Sequence, residues 1–394
     1  MKVIPHLILL MALSYMLVLS SCTNDKETNT DQPDDLFTGL DHLFTPPKNY
    51  VVYKTSKPIV VDGDINDEDW QKARWSDEFE DIEGDLKPSP YLRTRMKMLW
   101  DDEYFYFAAE LIEPHVWATL TEHDEVIFID NDFEIFIDAD NDRSRNYKFP
   151  DHDTHRYYEF EMNAFNTTWD LFLDKPYRNG GLPMTNWEIK GLKTGVNVIG
   201  TINNPGDTDE AWTVEVAIPF SAICFGRKRE NPPSDGDQYR VNFSRVQYDI
   251  DIIDGKYIKQ KDSLGKDLPC YNWVWSPQGV INMHYPERWG YAQFSEAPVG
   301  TKEVPFVSYY SELQKKYLWL IYYRQQEIRR KGSRYSSSLK DLGFSGERIV
   351  IDGKTNNLTL EAISNQFEAT IQSEDDQTIW SINQEGLVQQ SAQP

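Results

Sequence analysis

Apolar and polar positions follow three regimes along this chain. After Lys2, residues 7–19 are almost wholly apolar, and Leu19-Ser20-Ser21-Cys22 closes the run before a polar stretch. A bilayer span takes about 20 apolar residues, so this shorter run, ending on small residues, predicts a signal peptide over 1–21. Residues 22–49 are mostly polar and acidic, with apolar exceptions at Leu36, Phe37, Leu40, Leu43 and Phe44, and predict a tether. From 50 to 296 short apolar runs recur between polar turns. Met96-Lys97-Met98-Leu99-Trp100 and Tyr104-Phe105-Tyr106-Phe107-Ala108-Ala109 flank Asp101-Asp102-Glu103, which reads as a hairpin. Further strands are predicted at 133–137, 157–163, 168–173, 196–201, 211–218 and 239–246. Helical periodicity is nearly absent there, so the pattern predicts a mainly β chain, an antiparallel β-sandwich.

The third regime begins after Phe294. Ala297-Pro298-Val299-Gly300 marks a linker. Apolar residues at Phe306, Tyr310, Leu313, Tyr317, Leu320 and Ile321 have helical spacing, predicting a long helix over 306–330 that ends at Lys331-Gly332. Short strands at 348–351, 358–363, 367–371 and 378–382 then predict an antiparallel meander. Residues 302–394 thus form a small α+β C-terminal unit.

Composition narrows the partners. The 394 residues carry 40 Lys plus Arg against 64 Asp plus Glu, a net charge of −24. That balance argues against nucleic acid and against an anionic membrane surface, and suits a neutral ligand or a divalent cation. With 12 Trp and 22 Tyr the chain can fill a core and still present aromatics to a ligand. Leu19-Ser20-Ser21-Cys22 resembles a bacterial lipobox, which implies lipidation at Cys22 and a mature protein anchored in the cell envelope, at the outer membrane. Of the remaining cysteines, Cys224 and Cys270 either pair in that oxidising compartment or stay as thiols.

The stretch Val60-Val61-Asp62-Gly63-Asp64-Ile65-Asn66-Asp67-Glu68-Asp69-Trp70 resembles the opening of family 9 carbohydrate-binding modules. Similar segments follow in order: Leu99-Trp100-Asp101-Asp102-Glu103-Tyr104, Asn131-Asp132-Phe133-Glu134-Ile135-Phe136-Ile137-Asp138, Tyr157-Tyr158-Glu159-Phe160-Glu161-Met162-Asn163, Trp212-Thr213-Val214-Glu215, Arg240-Val241-Asn242-Phe243-Ser244-Arg245, Trp275-Ser276-Pro277 and His284-Tyr285-Pro286-Glu287-Arg288-Trp289-Gly290. The resemblance implies a β-sandwich of the DOMON-like type over 50–296 that binds an oligo- or polysaccharide, in glycan catabolism. It also implies a structural calcium.

On 157–163 the period of two sets Tyr158, Phe160 and Met162 against Glu159, Glu161 and Asn163, and Glu134 stands opposite Phe133 and Ile135. Carboxylate and amide groups on one face of a sheet can grip sugar hydroxyls. By the resemblance, ligand-binding residues are Glu134, Glu161, Asn163, Phe128, Trp169, Arg245 and His284. Phe128 stands where family members have one Trp of an aromatic sandwich, Met283 or His284 where they have the other, and Glu161 where some carry an Arg. Asp138, Asp140 and Asp142 alternate as calcium ligands would, although Arg143 and Phe149 exclude an EF-hand. Glu134, Glu159, Glu161 and Glu215 supply carboxylates for a glycosidase, a second reading. A third is a structural or assembly protein whose C-terminal unit meets a protein partner.

Overall fold

A computed structural model describes residues 36–139, 154–224 and 232–392. The central strands are β1 (Asn49–Lys54), β2 (Thr94–Trp100), β3 (Tyr104–Ile112), β4 (Asp132–Asp138), β5 (Tyr157–Asn163), β6 (Thr168–Leu173), β7 (Lys193–Ile199), β8 (Ala211–Pro219), β9 (Gln238–Gln247), β10 (Tyr271–Val274) and β11 (Gly290–Pro298). They run in the order β6-β5-β4-β9-β11-β1-β2-β3-β8-β7, with β10 on β9, and β1 pairs in parallel with both β11 and β2. The path folds over into a sandwich of two layers. Phe133, Ile135, Tyr158, Phe160, Met162 and Phe243 from one layer meet Met98, Trp100, Phe105, Phe107, Val214 and Val216 from the other in one buried core.

The predicted hairpin has a local cause. Asp101 Oδ1 accepts the Glu103 and Tyr104 N–H groups at 2.8 and 2.7 Å, closing the turn between β2 and β3. The opening motif has a long-range one. Glu215, on β8, accepts the Asp62 and Gly63 N–H groups at 2.9 Å each and the Trp70 indole N–H at 2.7 Å. Gly63 lies at φ +90°, and a Cβ there would stand 2.4 Å from the Val196 carbonyl carbon. Gly195 faces Glu215 across the strand pair, and its Cβ would clash equally with the Gly63 nitrogen. These glycines let the loop lie flat on the sheet.

The first helix, α1, is the short Glu68–Lys72, and after β11 the chain runs extended before α2 (Tyr310–Gly332). The helix starts later than 306 because Gln293 Nε2 donates to the Pro305 carbonyl and Gln293 Oε1 accepts the Val307 N–H, holding that segment on the sandwich. Ser333 takes the left-handed cap at φ 61°. A five-stranded meander of Arg348–Ile351, Lys354–Ala362, Phe367–Ser373, Thr378–Asn383 and Val388–Ala392 follows, one strand more than the pattern predicts. Leu36, Leu40 and Leu43 bury themselves in the core of this C-terminal unit, and Phe37 and Phe44 stack beside Tyr317 and Tyr323. Residues 36–44 are therefore packed structure rather than tether. Cys224 and Cys270 form no disulfide.

Candidate functional site

Strands β6, β5, β4 and β9 turn their second face away from the core. Register sets Glu134 directly opposite Glu161 and opposite Ser244, Asp132 opposite Asn163, Phe136 opposite Glu159, and Glu161 opposite Trp169. Four carboxyl groups, Asp132, Glu134, Glu159 and Glu161, thus share one patch of one sheet. The alternation predicted this face, but not its depth. Glu161 is 1% exposed, Glu134 5% and Glu159 6%. Segments outside the layer fold over part of it, and Ile82, Met283 and Trp289 join Phe136, Tyr157 and Leu171 in a small apolar cluster there. The carboxyl groups form the buried floor of this face.

Aromatics edge this floor. Phe128, 42% exposed, sits on the 3-10 turn Ile127–Ile129 with its ring 6.3 Å from Trp169. Its N–H donates to Glu161 Oε2 at 3.0 Å, and its carbonyl accepts the Tyr248 hydroxyl at 3.0 Å. Tyr177 stands on the other side, with its hydroxyl pushed up to about 12 by burial and by the nearby Glu159 and Glu161. Burial pushes Glu134 up to about 7. Burial and neighbouring carboxylates, Glu134 first, hold Asp132, Glu159 and Glu161 well above the ordinary carboxylate range. At neutral pH the floor is therefore partly protonated, able both to accept from and to donate to hydroxyl groups.

The expected residues are not all brought to this floor. Glu134, Glu161, Phe128 and Trp169 meet there. Asn163 is adjacent but engaged: its Nδ2 donates to the Leu120 carbonyl at 2.9 Å and to Asp130 at 3.0 Å, while its Oδ1 accepts Phe165 and Thr167 N–H groups. It positions the loop that carries Phe128. His284 lies toward the far end of the face, against Tyr157 at 2.9 Å and the Tyr177 ring. Burial holds its imidazole down at about 3, hence neutral. Arg245 points the other way. Being out of phase with Ser244, it enters the interior, where it pairs with Glu113 at 2.9 Å and bonds Thr94 and the Ile112 carbonyl. Glu215 likewise serves the opening motif on the other layer. Asp138 is buried and accepts the Thr154 N–H at 3.0 Å, while Asp140, Asp142 and Cys22 lie outside the described residues.

Sequence reasoning missed Asp132 and Tyr177. Asp132 was legible, two residues before Glu134 on the same alternation. Tyr177 was not, since it arrives from the 3-10 turn Tyr177–Asn179. Hydrogen bonds from the C-terminal unit reach Thr154, His155, Asn179 and Glu287. For a cation, Asp132, Glu134 and Glu161 offer oxygens within 4.8 Å of one another, as His123, Asp124 and Asp170 do for theirs at the sheet edge.

A family model described as carbohydrate family 9 binding domain-like matches residues 61–268, more than half of the chain. Among solved structures, a Bacteroides uniformis protein described as carbohydrate-binding aligns at 17% identity and a TM-score of 0.44, covering 64% of this chain and all of its own. A family 9 carbohydrate-binding module from Caldicellulosiruptor kristjanssonii, in complex with cellotriose, aligns at 16% identity and 0.38, covering 66% of this chain and all of its own. The same organism's module with glucose aligns at 16% and 0.38, over 65% of this chain and all of its own. No curated protein matches the chain.

Proposed function

Because this chain belongs to the carbohydrate family 9 binding domain-like family, we propose that its β-sandwich binds an oligo- or polysaccharide on the face that carries Phe128, Trp169 and Tyr177. One observation carries the assignment: four carboxyl groups share one sheet face beside the paired rings of Phe128 and Trp169. Sugar C–H faces lie on aromatic rings, so the walls bury apolar area while the floor exchanges hydrogen bonds with hydroxyls. Glu134 and Glu159, which keep slight exposure, make the first polar contacts. Membership points to binding rather than turnover. Lipidation at Cys22 would hold the protein at the bacterial outer membrane, where it would retain glycan for breakdown, and residues 302–394 would meet a protein partner there. A glycan-array screen of the chain from residue 23 onward tests the reading. Saturable binding to a defined saccharide class supports it, and binding to none across plant, host and bacterial glycans overturns it.

A further inference from the structure

The floor of this face concentrates carboxyl groups. Asp132, Glu134 and Glu161 are all buried, and each presents an oxygen within 4.8 Å of the other two. Backbone amides fix two of them from one side: Val246 N–H donates to Asp132 Oδ1 at 3.2 Å, and Phe128 N–H to Glu161 Oε2 at 3.0 Å. Asp132 Oδ2 is buried without a hydrogen-bond partner, while the Glu159 and Glu161 carboxyl groups lie close enough to share a proton. Buried acceptors are normally satisfied, and an unpartnered oxygen among such close carboxyl groups calls for a positive charge. Among the described residues no Lys or Arg is a leading influence on any of the four carboxyl groups.

We propose that Asp132, Glu134 and Glu161 chelate a divalent cation, calcium foremost, on the floor of this face. The spacing fits: oxygens at about 2.4 Å from a calcium ion lie at most about 4.8 Å apart. The donor set is all oxygen, with neither imidazole nor thiolate to favour zinc or copper. Adjacent strands of one sheet hold the ligands, so the site is formed before the ion arrives. This site is separate from the run 138–142 that the sequence offers for calcium, and it does not depend on the saccharide reading, since the ion is titrated with no sugar present.

The test is calorimetric titration of calcium chloride into chelator-stripped protein from residue 23 onward at pH 7.5, with thermal melts alongside. Wild type should bind saturably and melt at higher temperature with calcium. Glu161→Gln and Asp132→Asn should each weaken binding by at least about tenfold, while Asp138→Asn leaves it in place. Should Asp132→Asn fail to melt cooperatively, Glu161→Gln decides, because the amide oxygen can still accept the Phe128 N–H. No saturable binding by wild type, or wild-type affinity in Glu161→Gln, overturns the proposal.

Discussion

Glu134 and Glu161 face each other directly across two neighbouring strands, both buried, with no basic side chain between them. Like charges so placed disfavour their shared ionisation, and a sheet keeps such a pair only where protons, an ion or ligand hydroxyls relieve it. That relationship is what the proposed binding face rests on.

The aromatic wall should be separable from the fold. Phe128 is exposed and Trp169 half-buried, both outside the main core. Trp169→Ala and Phe128→Ala should each weaken saccharide binding by about 1–2 kcal/mol and leave the melting temperature nearly unchanged. Calorimetry with the array-selected saccharide checks this, and unaltered affinity in both variants would remove the wall from the site.

Arg245 should matter for stability instead. Removing one member of a buried ion pair strands the other, at a cost of about 3–5 kcal/mol. Arg245→Met should therefore lower the denaturant midpoint strongly while the double variant Arg245→Met, Glu113→Leu recovers much of the loss. Saccharide affinity of the folded double variant should match wild type.

The loop around Gly63 should tolerate no side chain. Gly63→Ala and Gly195→Ala each drive a Cβ into backbone, and each should cost about 2 kcal/mol or more, measured by chemical unfolding.

Glu215 should give stability a pH dependence of known sign. Burial pushes its carboxyl up to about 7 from an ordinary 4.5, against three N–H donors. Between those values the unfolded chain has released this proton and the folded chain still holds it. Its contribution is thus complete below 4.5 and declines as pH rises through 7. The stability of wild type relative to Glu215→Gln should fall by up to about 3 kcal/mol across that window. A difference that stays flat with pH would refute the assignment.

What could be read from residues alone follows the range of the forces involved. Alternation on 157–163 fixed which side chains face the core, because pleating acts residue by residue. The hairpin at Asp101 was equally local. The role of Glu215 was hidden, since its partners Gly63 and Trp70 lie about 150 residues away. Arg245 was misplaced toward the ligand although its phase, one residue from Ser244, already sent it inward. The burial of Leu36, Leu40 and Leu43 could not be foreseen, because their partners in α2 and the meander come near the other end of the chain.

A crystal structure of the protein with the saccharide that the array selects would decide the central claim. The sugar ring should lie against Phe128 or Trp169, with hydroxyls within hydrogen-bonding distance of Glu134 or Glu159. A saccharide seated instead in the cleft lined by Trp75, Arg95, Lys97 and Asn197 on the other layer, with the carboxylate floor untouched, would contradict it.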